Sequence, residues 1–298
     1  MKRKIFLPLG VLLLVLTGMN LSAQEDKSPT WSRRYGGGKD DGAYSIINTK
    51  DGGFALAGYT ESFGEGNKDG WVLKLSAAGD LLWQYTFGIP KSTTNAEVCK
   101  HIIETSDGGF MVAGFVEDLT TRNRDAWLIR LDRDGKFLWE KRYGGEGEDA
   151  AASVIETREG DFIFAGYTKS FGTGDSDYWM LRVDLRGNIV GGRRYGSKAD
   201  DQAVGIVQGN NGQFIVAGFT ESGGRGGKDV WLLALDADRK ILWEKTYDRD
   251  FNNLPKDIIL NKAGSYTVTG VSGLVTKSGK LATFGWIMKI DPSGAVLS

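Results

Sequence analysis

The chain has 298 residues, 37 basic and 38 acidic side chains, a net charge of −1, 43 glycines, one cysteine and one histidine. A lone cysteine excludes an intrachain disulfide and a lone histidine excludes a multi-histidine metal centre. The near-balanced charge, with no basic cluster, argues against a nucleic-acid partner.

In chain order, Lys2, Arg3 and Lys4 form a basic start, Ile5 to Leu16 a short apolar run, and Ser22-Ala23 a small-residue cleavage site before Gln24. That order reads as a signal peptide over 1–23, and its apolar run is too short to favour a membrane span. With no cysteine at the cleavage point a lipid anchor is not expected, so the product is expected to be secreted or periplasmic. A short segment, 24–30, leads into a single domain over 31–298.

All nine tryptophans fall into two columns. One holds Trp71, Trp127, Trp179, Trp231 and Trp286; the other holds Trp31, Trp83, Trp139 and Trp243, with Gly191 in the vacant slot. Most intervals are 52 residues, as from Trp127 to Trp179. Five repeats of that length describe one supersecondary unit used as an array.

The third unit shows the elements most plainly. Ala151–Thr157, Phe162–Thr168, Tyr178–Asp184 and Ile189–Tyr195 are short, β-branched or aromatic, and bounded by turn residues, so each reads as a strand. Four antiparallel strands make a propeller blade. Gly52, Gly108, Gly160, Gly212 and Gly264 mark the tight hairpins, and Gly58, Gly114, Gly166, Gly218 and Gly270 fall inside second strands, where another backbone is expected to come close.

There are five copies of strands one to three, but the chain ends where the last fourth strand is due, and Trp31–Tyr35 begins the array as a fourth strand. The expected fold is therefore all-β: a five-bladed β-propeller of four-stranded antiparallel blades, a monomer, closed by the N-terminal strand completing the last blade.

The hairpin Leu235–Trp243 resembles the tryptophan-docking motif of quinoprotein-type propellers. The repeated Asp-Gly-Gly-Phe, Ala-Gly-Tyr-Thr and Trp-x-x-x-Tyr-Gly-Gly segments resemble secreted bacterial repeat propellers over residues 31–298. The resemblance implies scaffold and export. The dedicated cofactor residues of the quinone enzymes are not found.

Candidate chemistry lies on the long-loop face, opposite the tight hairpins. Asp41, Glu97, Asp149, Asp201 and Asn253 precede the innermost strands. They read either as a ring at the channel mouth for sugar hydroxyls or a cation, or as caps of their own turns. A glycoside hydrolase would draw its two carboxylates from the four acids, but a motif repeated in every blade favours capping. Asp69, Asp125, Asp177 and Asp229 form a second acidic column. The loop with Asp175 and Asp177 is a weak Ca²⁺ candidate, with no EF-hand spacing. No other cofactor is expected. His101 breaks the innermost-strand pattern near the channel and joins the binding candidates, while Cys99 reads as buried and inert. Lys74, Arg130, Arg182 and Lys289 read as solvated or paired across strands. The tryptophans read mainly as packing residues.

The function expected from these features is an exported, non-enzymatic propeller binding a polysaccharide or protein partner on its long-loop face. A glycoside hydrolase or polysaccharide-processing enzyme, or a cell-surface scaffold, stands as the alternative.

Overall fold

The structure, a computed structural model, describes residues 30–89, 94–222, 227–247, 252–275 and 281–297. Residues 1–23, read as a signal peptide, and most of 24–30 lie outside the described residues. Contacts divide the chain into Met1–Trp31 and Ser32–Ser298; the second unit carries the fold described below.

Five antiparallel sheets follow one another along the chain. Blade 1 is β1 (Asp41–Asn48), β2 (Phe54–Thr60), β3 (Asp69–Leu75) and β4 (Leu81–Phe87). Blade 2 is β5 (Asn95–Glu104), β6 (Phe110–Asp118), β7 (Arg124–Leu131) and β8 (Phe137–Tyr143). Blade 3 is β9 (Asp149–Glu156), β10 (Phe162–Thr168), β11 (Asp177–Val183) and β12 (Ile189–Tyr195). Blade 4 is β13 (Asp201–Gln208), β14 (Phe214–Thr220), β15 (Asp229–Leu235) and β16 (Ile241–Tyr247). Blade 5 is β17 (Asn252–Leu260), β18 (Tyr266–Val275) and β19 (Leu281–Ile290). In each blade the strands pair in sequence order, giving an all-β five-bladed propeller.

The innermost strand of every blade carries a bulge, between Ala43 and Ser45 in β1 and at matching places in the other four. A bulge bends the strand and raises its twist, which suits the crowded centre of a propeller. Second-strand glycines meet the same crowding. A Cβ on Gly166 would lie 1.9 Å from the Ala150 carbonyl oxygen, and one on Gly58 1.8 Å from that of Gly42.

The core lies between blades rather than within one. Val72, Ile102, Phe110 and Trp127 pack blade 1 on blade 2, and equivalent clusters join blades 2 and 3, 3 and 4, and 4 and 5. The third-strand cations pair with hairpin acids: Lys74 with Asp51 at 2.8 Å, Arg130 with Asp107 at 2.6 Å and Arg182 with Asp161 at 2.7 Å. Lys74 and Arg130 are buried, so pairing across the hairpin, not solvation, satisfies them.

Fourth strands tie each blade to the next. Tyr143, Tyr195 and Tyr247 donate their hydroxyls to the carbonyls of Gly187, Arg239 and Gly294 in the following hairpin. Tyr35 makes the same bond to Gly79 at 2.6 Å, so residue 35 holds the fourth-strand place ahead of blade 1. Residues 32–38 nevertheless form no strand, and the fifth sheet has three strands among the described residues. The seam between blades 5 and 1 also differs in burial. Ile46 is 60% and Ile287 73% exposed, whereas Ile102, Val154, Ile206 and Ile258 in the first column, and Val72, Leu128, Met180 and Leu232 in the second, are all buried.

Candidate functional site

First and third strands start at the same end of a blade, because antiparallel neighbours alternate direction. Both acidic columns therefore gather on the long-loop face, at the junctions between blades. Asp41 accepts hydrogen bonds from Thr60 Oγ1 at 2.5 Å, Ser62 Oγ at 2.7 Å and the Gly37 N–H at 2.8 Å. Burial alone would raise its pKa, but these donors together hold it at about 2. Asp149 repeats the scheme with Ser170 Oγ at 2.5 Å and the Gly145 N–H at 2.9 Å. Asp201 takes the Ser197 N–H at 2.8 Å on one oxygen and leaves Oδ1 buried without a partner, and Asn253 accepts the Ser272 hydroxyl at 2.5 Å. In blades 1, 3 and 4 the strand-start acid caps its loop.

Glu97 is the exception. The register sets Asp41 opposite Thr60, Asp149 opposite Thr168, Asp201 opposite Thr220 and Asn253 opposite Ser272, but Glu97 opposite Val116. Its longer side chain thus loses the hydroxyl partner. It is 1% exposed, takes a backbone bond from Ile89, and leaves Oε1 buried without a partner. Burial first, and the nearby Asp69 second, push its pKa up to about 7.

The two acidic columns meet around the glycines that follow β8 and β12. A Cβ on Gly144 would lie 2.3 Å from Asp125 Oδ1 and 2.7 Å from Asp149 Oδ2; one on Gly196 would lie 2.2 Å from Asp177 and 2.9 Å from Asp201. Burial, with Asp149 second, raises the pKa of Asp125. These pairs are sealed at the junctions, and Asp149, Asp177 and Asp201 are buried.

His101 Nδ1 accepts the Val154 N–H at 3.3 Å, as Ser45 Oγ accepts the Ile102 N–H at 3.4 Å one blade earlier. Burial lowers its pKa to about 4, so the imidazole is neutral and links two innermost strands. Cys99 is fully buried and its thiol is pushed up by burial, which keeps it protonated. Asp177 accepts the Thr173 N–H at 2.9 Å while Asp175 is exposed. Among the described residues no group of three or more His, Cys, Asp or Glu side chains is placed to hold a metal ion.

The feature that reading the sequence missed is a groove of about 670 Å³ at the junction of blades 3 and 4, whose lining includes Arg194, Tyr195, Ser197, Ser222, Trp231 and Glu244. Trp71, Trp127 and Trp179 are 2–5% exposed, but Trp231 is only half-buried. Phe63 covers Trp71 with ring centroids 5.8 Å apart, and Phe171 covers Trp179 at 5.9 Å. Gly223 stands in that column of the sequence in blade 4, a position that carries no ring. The column Phe63, Leu119, Phe171, Gly223 was the available signal.

The neighbouring slot is altered as well. Trp83 and Trp139 lie over hairpin glycines of the next blade, where a Cβ on Gly135 or Gly187 would come within 2.6 or 2.9 Å of the ring. At the junction of blades 3 and 4 the partners are exchanged: Gly191 replaces the tryptophan and Arg239 the glycine. Arg239 keeps the left-handed conformation at φ 62°, and its Nη2 lies 3.0 Å from where a Gly191 Cβ would be. Its Nε and Nη1 are buried without an acceptor.

No protein family matches the chain as a whole. It is 23% identical over 263 residues to the regulatory protein FlaEY of Caulobacter vibrioides, a match covering 78% of this chain and 26% of that protein. The chain thus spans about a quarter of that relative's length. Among solved structures it is similar to an unknown-function protein from Dyadobacter fermentans (17% identity, TM-score 0.56, 86% of this chain and 78% of that one). It is also similar to the Pan2 WD40 domain of Neurospora crassa (13%, TM-score 0.55, 87% and 65%) and to a GH43 β-1,3-galactosidase bound to galactodeoxynojirimycin (9%, TM-score 0.50, 85% and 92%). At these identities the likeness is one of fold. Among the described residues no helix is long and apolar enough to cross a membrane.

Proposed function

We propose that this chain is an exported, non-enzymatic propeller that binds a carbohydrate on its long-loop face, with the groove beside Trp231 as the seat. The observation that carries this reading is the half-buried indole of Trp231, which packs on Tyr178 with ring centroids 4.5 Å apart and lines a groove with hydroxyl and charged groups. Sugar recognition combines an aromatic face for the apolar side of a pyranose with nearby donors and acceptors for its hydroxyls. Trp231 supplies the first, and Tyr195, Ser197, Ser222 and Glu244 the second.

A hydrolase needs two carboxylates facing one substrate. Asp41 and Asp149 are engaged with loop N–H and hydroxyl donors, and Glu97 and Asp201 are buried. Those contacts favour binding over catalysis.

The test is a thermal melt of residues 24–298 against a panel of polysaccharides, with and without Ca²⁺. A ligand at a hundredfold excess over Kd stabilises the folded state by about 2.7 kcal/mol. A shift with one glycan that is lost in Trp231→Ala supports the reading. No shift with any glycan refutes it and leaves a protein partner or a scaffold role.

A further inference from the structure

Building on that proposed carbohydrate site, we infer that the ligand is an acidic polysaccharide, a chain carrying carboxylate or sulfate groups, lying along the outer edge of blade 3. Three hollows adjoin there. Besides the groove at Trp231, one of about 500 Å³ is bounded by Phe171, Trp179, Gly192 and Arg193, and one of about 400 Å³ by Gly172, Thr173 and Gly196. Arg194 lines all three. A series of connected hollows about a single side chain suits several linked sugars rather than one.

The shape comes from the sequence of β12. Where β8 and β16 carry a tryptophan followed by glutamate, Trp139-Glu140 and Trp243-Glu244, β12 carries Gly191-Gly192. This removes a bulky ring and a negative charge together, and leaves Arg193 and Arg194 on an edge without side chains beside them. Arg194 is exposed and enters no ion pair among the described residues.

Arg239, in the tight hairpin at the opposite end of this junction, lines none of these hollows, so Arg194 carries the charge argument. Arginine meets a carboxylate or sulfate through paired N–H donors, a geometry that a neutral sugar hydroxyl does not match. Of the acids near this edge, Asp177 accepts the Thr173 N–H and Asp201 the Ser197 N–H, and Glu244 and Lys245 both line the groove at Trp231. Trp231 lines one of the hollows that Arg194 shares, and Phe171, which is 39% exposed, lines another.

The experiment measures binding of the mature chain to polygalacturonate, alginate and a sulfated galactan. Each is compared with a neutral counterpart: the methyl-esterified uronans and the desulfated galactan. At least one acidic form is expected to bind about tenfold more tightly than its neutral counterpart, with affinity falling as salt rises. Arg194→Gln should remove that preference while leaving binding to the neutral form unchanged, and Trp231→Ala should weaken both forms. Equal binding of acidic and neutral forms, or an unchanged preference in Arg194→Gln, overturns the acidic ligand but leaves the carbohydrate site standing. Binding to no glycan at all overturns both. Circular dichroism of each variant checks that the fold is intact.

Discussion

Replacing Glu97 by glutamine tests the reasoning about the one strand-start acid that has lost its cap. Its carboxyl is 1% exposed, faces Val116 across the ladder, and is pushed from 4.5 up to about 7 by burial and then by Asp69. Between those two pH values the unfolded chain has released this proton and the folded chain still holds it. Stability therefore falls as pH rises from about 4.5 to about 7, and this contribution is flat above and below that window. At about 1.4 kcal/mol per pH unit the full loss is about 3 kcal/mol. Screening where the junction opens to solvent reduces this to about 2 kcal/mol. Glutamine keeps the volume and an acceptor for the Ile89 N–H, and carries no charge at any pH. Glu97→Gln should thus match the wild type near pH 4 and exceed it by about 2 kcal/mol at pH 8, read from urea midpoints across pH 4–8.5. Coincident midpoints at pH 8 would refute the claim that an uncapped, buried carboxyl strains this junction.

Gly166→Ala should destabilise by about 3 kcal/mol, since a Cβ 1.9 Å from the Ala150 carbonyl forces two strands apart; chemical denaturation at neutral pH is enough to check it. Exchanging the blade 3–4 partners back, Gly191→Trp with Arg239→Gly, should be favourably coupled by more than 1 kcal/mol relative to the two single changes, because the indole needs the space that Arg239 fills. A double-mutant cycle that closes to zero would remove the argument that these positions form a pair. Ile287→Asp probes the seam, where the apolar columns of both facing blades predict that blade 5 packs on blade 1. A loss of about 2 kcal/mol is expected on that basis, whereas a change within about 0.5 kcal/mol is what a side chain left 73% exposed would give.

Much of the scaffold was legible because propeller strands repeat their physical demands. Each blade needs a tight hairpin, a glycine under the neighbouring backbone and apolar residues at the blade interface, and those demands recur near every 52 residues. Capping by Asp41, Asp149 and Asp201 was legible too, since a short acid at a strand start has loop N–H groups within reach. The seam was less so. The sequence supplies a fourth-strand copy at Trp31–Tyr35, and Tyr35 reproduces the bond to the next hairpin, yet the fifth sheet shows three strands among the described residues.

The groove escaped notice because tryptophan was read column by column, as one class with one role. A repeat fixes backbone positions, while exposure depends on what covers each side chain, and the covering residue lies several positions away. Trp231 has the same strand place as Trp71 and Trp179, but Gly223 stands where Phe63 and Phe171 stand in the sequence. The same holds for Glu97, whose difference lies in Val116 across the ladder, and for Arg239, whose difference lies in Gly191 one blade back. For Glu97 with Val116 and Arg239 with Gly191, two positions that meet across the fold depart from the repeat together. Packing explains why the shared residues recur, and at Gly191 and Arg239 it also explains the exchange, since the guanidinium fills the space that the indole occupies at the other junctions.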